Sequence, residues 1–215
     1  MSAEQLAITV IGAGSVGTSL AIRFVDLGHR VTFGARDLDS PKLTAARAAV
    51  PDAQAVPIDR AAAGADLIVL AVPYDGLVTA LQALGDVGGG VLVDATNAVR
   101  QTLPDGCDSV LDVIRRSLPQ ATVVKAFNTV GAEVMRAPSV DGRAAFLPIA
   151  GPSPAAERVR DLAATMGFEA LVIGDESTAR LLEDHARLWI HLAMRVGVGR
   201  GFAFGLLREQ GDDHG

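Results

Sequence analysis

Apolar residues along this chain fall into two kinds of run, and the two kinds alternate. Unbroken aliphatic stretches, such as Leu6, Ile8, Val10 and Ile11, have the character of strands buried on both faces. Between them apolar residues recur at helical spacing, as in Val16, Leu20, Phe24 and Leu27, with Gly28 placed as a C-terminal cap. The pattern predicts strands over residues 6–11, 30–36, 55–58, 65–73, 90–97, 121–128, 144–150 and 168–173. It predicts helices over 16–27, 41–50, 77–84, 110–118, 154–166 and 177–196. Strands separated by helices in this rhythm imply an α/β fold, a doubly wound and mainly parallel sheet with right-handed crossovers.

The first strand flows directly into Gly12-Ala13-Gly14-Ser15-Val16-Gly17, a G-x-G-x-x-G segment between a strand and a helix. Gly12 lets the chain turn sharply, Gly14 lets a pyrophosphate approach the backbone, and Gly17 lets the helix pack close to the strand. The helix N-terminus offers unpaired N–H groups and a positive dipole end to the phosphates. The sheet is therefore expected to be of Rossmann type. Residues 1–174 form the dinucleotide-binding domain, and 175–215 a short helical extension that packs on it and on a partner subunit. The end, Gln210 to Gly215, is expected to fray.

The second strand decides which dinucleotide. An NAD site carries an acid at the end of this strand to accept from the ribose 2′-OH, but that position falls on Gly34 or Ala35. Arg36 follows, and its fork of donors suits a 2′-phosphate, so NADP is the expected cofactor. Asp37 either pairs with Arg36 or, in a shifted register, serves as the ribose acceptor.

Composition fits a cytoplasmic enzyme. The 215 residues carry a net charge of −6, which argues against nucleic acid as a partner. No apolar stretch reaches the ~18 residues of a membrane span, and Met1-Ser2-Ala3-Glu4-Gln5 lacks the basic region of a signal peptide. Cys107 is the only cysteine, which excludes an internal disulfide, and the four histidines show no metal-ligand spacing.

In open α/β sheets ligands bind outside the carboxyl ends of the strands. Beyond the phosphate loop and Ala35-Arg36, those ends carry Val72-Pro73-Tyr74, Thr96-Asn97-Ala98 and Lys125 to Thr129. Val72 and Tyr74 are placed to flank a flat ring. Asn97 both donates and accepts, as a nicotinamide carboxamide requires, or else stabilises a turn. Lys125 either reaches solvent or takes part in the chemistry. Tyr74 either packs its loop or meets the ligand.

Together, Gly12 to Gly17, Phe33-Gly34-Ala35-Arg36, Ala71-Val72-Pro73, Asp94-Ala95-Thr96-Asn97 and Val124-Lys125-Ala126-Phe127-Asn128-Thr129 resemble the deazaflavin-dependent NADP reductase family. The resemblance extends over nearly the whole chain, including Ala179-Arg180-Leu181-Leu182-Glu183. It implies hydride transfer between NADP and an 8-hydroxy-5-deazaflavin coenzyme, factor 420. It places the phosphate loop on Ala13, Gly14, Ser15 and Val16, and the 2′-phosphate on Ala35 and Arg36. Ala35 stands where the family often has a hydroxyl residue. Val72 and Pro73 fall beside the nicotinamide, and Phe127, Asn128, Thr129 and Val130 where the second cofactor stacks. The Lys-Ala-Phe-Asn-Thr segment also resembles the NADPH-using domain of membrane metalloreductases.

The residues themselves favour the same chemistry. No nucleophile-base set, metal set or paired carboxylates stand at the strand ends, so no side chain is assigned as catalytic. Hydride transfer between two flat rings needs mainly near-attack geometry. Two alternatives remain. One is an NADPH-dependent reductase of a small carbonyl, imine or metal–flavin acceptor, with Lys125 or Tyr74 as proton donor. The other is a non-catalytic NADP-binding regulator. The final helix adds a homodimer to the expectations. Its polar stripe of Asp184, Arg187, His191 and Arg195 is narrow, and the apolar arc around it is wider than one contact with the sheet requires.

Overall fold

A computed structural model describes residues 4–209, so the expectation for Gln210 to Gly215 falls outside it. The chain begins β1 (Ala7–Ile11), α1 (Ser15–Asp26), β2 (Arg30–Ala35), α2 (Pro41–Ala49), β3 (Gln54–Pro57), β4 (Leu67–Leu70) and α3 (Leu77–Leu84). It continues through β5 (Val91–Asp94), α4 (Val110–Ser117) and β6 (Thr122–Lys125). Two features that the apolar pattern does not signal come next, the five-residue α5 (Ala132–Arg136) and a hairpin of β7 (Ser139–Val140) with β8 (Arg143–Ala144). Then come β9 (Phe146–Ala150), α6 (Ala155–Met166), β10 (Glu169–Gly174) and α7 (Ala179–His191), which runs into a π-helical turn, Leu192–Val196.

Eight strands form one sheet in the order β10-β9-β6-β5-β4-β1-β2-β3. From β3 to β6 every pairing is parallel, as right-handed crossovers through α1 to α4 require. The strands are mostly shorter than their apolar runs, because the residues past the last ladder bond turn over the sheet edge toward the next helix. The expected rhythm breaks at β9. The short α5 and the hairpin turn the chain round, so β9 re-enters the sheet antiparallel to β6. The two strands share a single register pair, Lys125 with Ala150. The rest of β9 therefore runs past the end of β6. β10 lies parallel to β9 through α6.

Both faces of the sheet are covered. Ile8, Val10, Phe33, Leu67, Val69 and Val93 pack under α1, α2 and α6, whereas Ile11, Ile68, Leu70 and Leu92 pack under α3, α4 and α7. Burial on both faces explains the absence of polar alternation in these strands. The segment after α7 returns across it. Trp189 stacks on Phe202 at 5.3 Å and donates its indole N–H to the Phe202 carbonyl at 3.0 Å. The Phe146 N–H donates to the Phe204 carbonyl at 2.9 Å, and His185 lies against the rings of Phe146 and Phe204. Burial holds the His185 imidazole below its ordinary pKa.

Candidate functional site

The β1–α1 turn is shaped by three different constraints. Gly12 has φ +117°, and a Cβ there would sit 2.4 Å from the Ala71 carbonyl oxygen. A Cβ on Gly17 would sit 1.9 Å from the Gly12 oxygen, so both positions are closed to larger residues by the protein itself. Gly14 differs: its backbone is extended, and no atom lies within 4 Å of a Cβ built on it. Gly14 also N-caps α1 with no side chain folded over the first turn, which leaves the leading N–H groups open. An open cradle in front of free N–H groups is what a pyrophosphate requires.

A cleft of about 450 Å³ extends from this turn along the carboxyl edge of the sheet. Gly12, Ala13 and Gly14 form its floor, Ala35 and Arg36 one end, and Val72 and Pro73 the other. The structure thus brings seven of the sequence-assigned residues into one cavity. Ser15 lines an adjoining groove of about 980 Å³ between α1, α2 and α5. Val16 packs on the core. Asp37 accepts from the Asp39 N–H at 2.9 Å, and among the described residues Arg36 forms no ion pair, which leaves its guanidinium free for an anion. Two residues not assigned from the sequence complete this end. Ser40 caps α2, accepting from the Leu43 N–H at 3.4 Å, and its hydroxyl proton remains available to the cleft it lines. Lys42, in the first turn of α2, lines both the cleft and the groove. The signal was present as Ser40-Pro41, an N-cap followed by proline at N1, which aims a helix N-terminus at this spot.

Asn97 and Asn128 do not line the cleft; they belong to a buried polar network that follows β5 and β6. Asn97 donates its amide N–H to the Asn128 carbonyl at 2.8 Å, and Asn128 donates to the Asn97 Oδ1 at 3.0 Å and to the Leu182 carbonyl at 3.2 Å. Asn97 is half-buried and Asn128 is buried. The Asn128 Oδ1 and Thr129 Oγ1 are buried without a hydrogen-bond partner.

Lys125 corrects the expectations for it. It neither reaches solvent nor lines the cleft. Its side chain is 0% exposed, and its Nζ donates to Asp94 Oδ2 at 2.8 Å and to the Thr96 carbonyl at 2.8 Å. Glu183 Oε1, from α7, lies 3.0 Å away on its third side. Asp94 in turn accepts from the Thr96 N–H and hydroxyl, and Glu183 accepts from the Val110 N–H at 2.7 Å. Sequence reasoning passed over Glu183. Its signal was an acid on the apolar arc of a helix, with an unpaired lysine on a buried strand elsewhere in the chain.

Phe127 is corrected too. Instead of offering its ring to a second cofactor, it is 1% exposed and packs edge-on between Phe24 and Phe168 at 6.5 and 6.2 Å. Its backbone has φ +62°, an uncommon conformation for a large side chain, held by that packing. After the kink, Asn128 reaches the Leu182 carbonyl of α7. Tyr74 is half-buried and packs against the core beside α3 rather than lining the cleft. Burial raises the pKa of its phenol, with smaller contributions from Cys107, Glu183 and Asp75. Among the described residues, no three His, Cys, Asp or Glu side chains are grouped to hold a metal ion. No helix among them is long and apolar enough to cross a membrane.

Comparison with known proteins identifies several relatives. Residues 7–98 match the profile of the coenzyme F420-dependent NADP oxidoreductases. The chain is 27% identical over 210 residues to the F420-dependent NADP reductase of Methanothermobacter thermautotrophicus, covering 89% of this chain and 90% of that protein. It is 29% identical over 181 residues to the metalloreductase STEAP3 of Rattus norvegicus, but spans only 36% of that protein's length. A crystal structure from Arthrobacter sp. FB24, assigned as an F420-dependent NADP reductase, superposes with a TM-score of 0.83 at 32% identity, covering 94% of this chain and all of that one. A reductive aminase of Aspergillus terreus crystallised with NADPH shares the fold at a TM-score of 0.68 and 20% identity. The chain belongs to the coenzyme F420-dependent NADP oxidoreductase family.

Proposed function

We propose that this chain binds NADP along the carboxyl edge of its sheet and transfers hydride between the nicotinamide and a deazaflavin coenzyme of the factor 420 class. The observation that carries the reading is the continuity of one cleft from Arg36, past the open cradle at Gly14, to Val72 and Pro73. Arg36, Ser40 and Lys42 hold the 2′-phosphate. The Ser40 hydroxyl stands in for the one Ala35 lacks. The α1 N-terminus holds the pyrophosphate, and Val72 and Pro73 hold one side of the nicotinamide, which supplies the hydride. The Asn97–Asn128 pair ties together the segments after β5 and β6, so the protein's part is positioning rather than proton transfer.

The exposed apolar side of α7 supports a homodimer. Leu181, Leu188 and Val196 are 59%, 51% and 59% exposed, while Leu182, Ala186 and Trp189 fill the intramolecular contact. The test of the reaction is to mix protein, NADPH and the deazaflavin and follow both chromophores. Loss of the nicotinamide band with bleaching of the deazaflavin is the expected result. No change with this acceptor, with turnover of a cyclic imine, would assign the chain to the reduction of small polar acceptors instead.

A further inference from the structure

The charges behind the nicotinamide end do not balance. One ammonium, Lys125, faces two carboxyl groups, Asp94 at 2.8 Å and Glu183 at 3.0 Å, and all three side chains are at most 2% exposed. Lys125 donates to Asp94 and Thr96, and its ammonium forms an ion pair with Glu183 Oε1. The second Glu183 oxygen, Oε2, is buried with no partner. The cluster therefore holds either a surplus negative charge or a proton. An uncompensated charge is disfavoured in a dry interior, so a positive group brought near the cluster favours the form without the proton.

A positive group does come near in one of the two states of the bound dinucleotide. The oxidised nicotinamide ring is a cation and the reduced ring is neutral. Asp94 precedes Asn97 by three residues, so their Cα atoms lie within about 11 Å. We propose that the Lys125–Asp94–Glu183 cluster is a redox-linked proton site: it releases a proton when the oxidised cofactor binds and keeps it when the reduced cofactor binds. Glu183 touches neither ring. It acts by setting the charge behind the site. The inference rests on the nicotinamide lying beside Val72, Pro73 and Asn97.

Other titratable groups around the cluster do not supply this charge. Tyr74, from the turn after β4, keeps its phenol proton more firmly than usual. Cys107 is a buried thiol of the loop before α4. Asp112, on α4, accepts from the N–H groups of Asp108 and Ser109, and Asp75 is at the surface. Arg180 and Asp184, the neighbours of Glu183 along α7, are both solvent-exposed.

Linkage makes the consequence reciprocal. If the oxidised ring favours the deprotonated cluster, raising the pH must favour the oxidised cofactor over the reduced one. A unit charge about 10 Å away, at an effective dielectric near 20, shifts that preference by roughly ten- to twentyfold between the fully protonated and the fully deprotonated cluster.

Titration calorimetry of the wild-type protein decides it. NADP+ and NADPH are each titrated at one pH in two buffers of different ionisation enthalpy, which counts the protons exchanged. Both forms carry the same 2′-phosphate, so its protons cancel in the difference. The expected result is that NADP+ releases a substantial fraction of one proton more than NADPH does. Equal counts with two well-bound forms overturn the inference and leave the assigned cofactor standing, whereas failure of both forms to bind brings down both. Glu183→Gln keeps an oxygen for the Val110 N–H and leaves Lys125 paired one-to-one with Asp94. It should abolish the proton difference and lower the preference for NADP+ by a factor that reaches roughly ten- to twentyfold only at high pH, where the wild-type cluster is deprotonated with either form. A merely structural role would weaken both forms alike and keep the difference. Asp94→Asn should give the same loss, which provides a second variant if Glu183→Gln does not fold.

Discussion

Arg36 and Gly14 are the residues whose roles are most open to direct test. A hydrogen bond to a charged group contributes ~1.5–3 kcal/mol, so Arg36→Ala should weaken NADPH binding by roughly 10- to 150-fold and leave NADH almost unaffected. Fluorescence titration with both cofactors checks this, and equal affinities in the wild type would refute the 2′-phosphate assignment. Gly14→Val tests the cradle. Because nothing lies within 4 Å of a Cβ there, the variant should keep its melting temperature and lose dinucleotide binding. Lys125 calls for a different experiment from the one its sequence position suggests. Replacing it with Met would leave Asp94 and Glu183 facing each other without a cation, and breaking a buried pair typically costs ~3–5 kcal/mol. Urea denaturation of Lys125→Met should show a loss of that order, and adding Glu183→Leu should recover part of it. The glycine turn between β1 and α1 was legible because its geometry is local: three glycines in a row of six positions state their own backbone requirements. Lys125 and Phe127 were misplaced because a sequence gives their position on a strand but not which long-range partners claim their side chains.

At the level of elements, the strands and the larger helices could be read from apolar periodicity, since each is buried on a face its own pattern declares. The short α5 and the β7–β8 hairpin could not, because five-residue and two-residue elements are too brief to show a period. The reversal of β9 was hidden for the same reason. A strand buried on both faces looks alike in either direction, and only the length of the connection before it decides. The final helix was read as too apolar for one contact. In the structure Leu182, Ala186, Trp189 and Ala193 are buried while Leu181 and Leu188 are not. The proposed dimer predicts that light scattering gives twice the chain mass and that Leu181→Glu combined with Leu188→Glu gives the mass of one chain, with NADPH binding retained. A wild-type monomer that persists at high concentration would exclude this interface.

For the whole molecule, acidity is a graded source of instability. Burial holds both His29 and His185 below the ordinary imidazole pKa. The unfolded chain takes up protons at the ordinary value, about 6.5, before the folded chain does. Between that value and the lowered ones the unfolded state binds more protons, so stability must fall as pH falls. Melting temperatures should therefore drop between pH 7.5 and 5.5, and His185→Phe, which keeps a ring against Phe146 and Phe204, should flatten that slope. A variant with an unchanged slope would remove His185 from the account. The single register pair between β6 and β9 has a further consequence, visible over hours rather than at equilibrium binding. Elsewhere in the large sheet neighbouring strands share four or five ladder positions; here they share Lys125 with Ala150 alone. Amide hydrogens report such seams, because cooperative units open separately where few ladder bonds join them. Under native conditions the amides of β9 and β10 should exchange with deuterium together, and before those of β1, β4 and β5. The sheet would then behave as a six-stranded nucleotide-binding slab with a two-stranded leaf hinged at its edge.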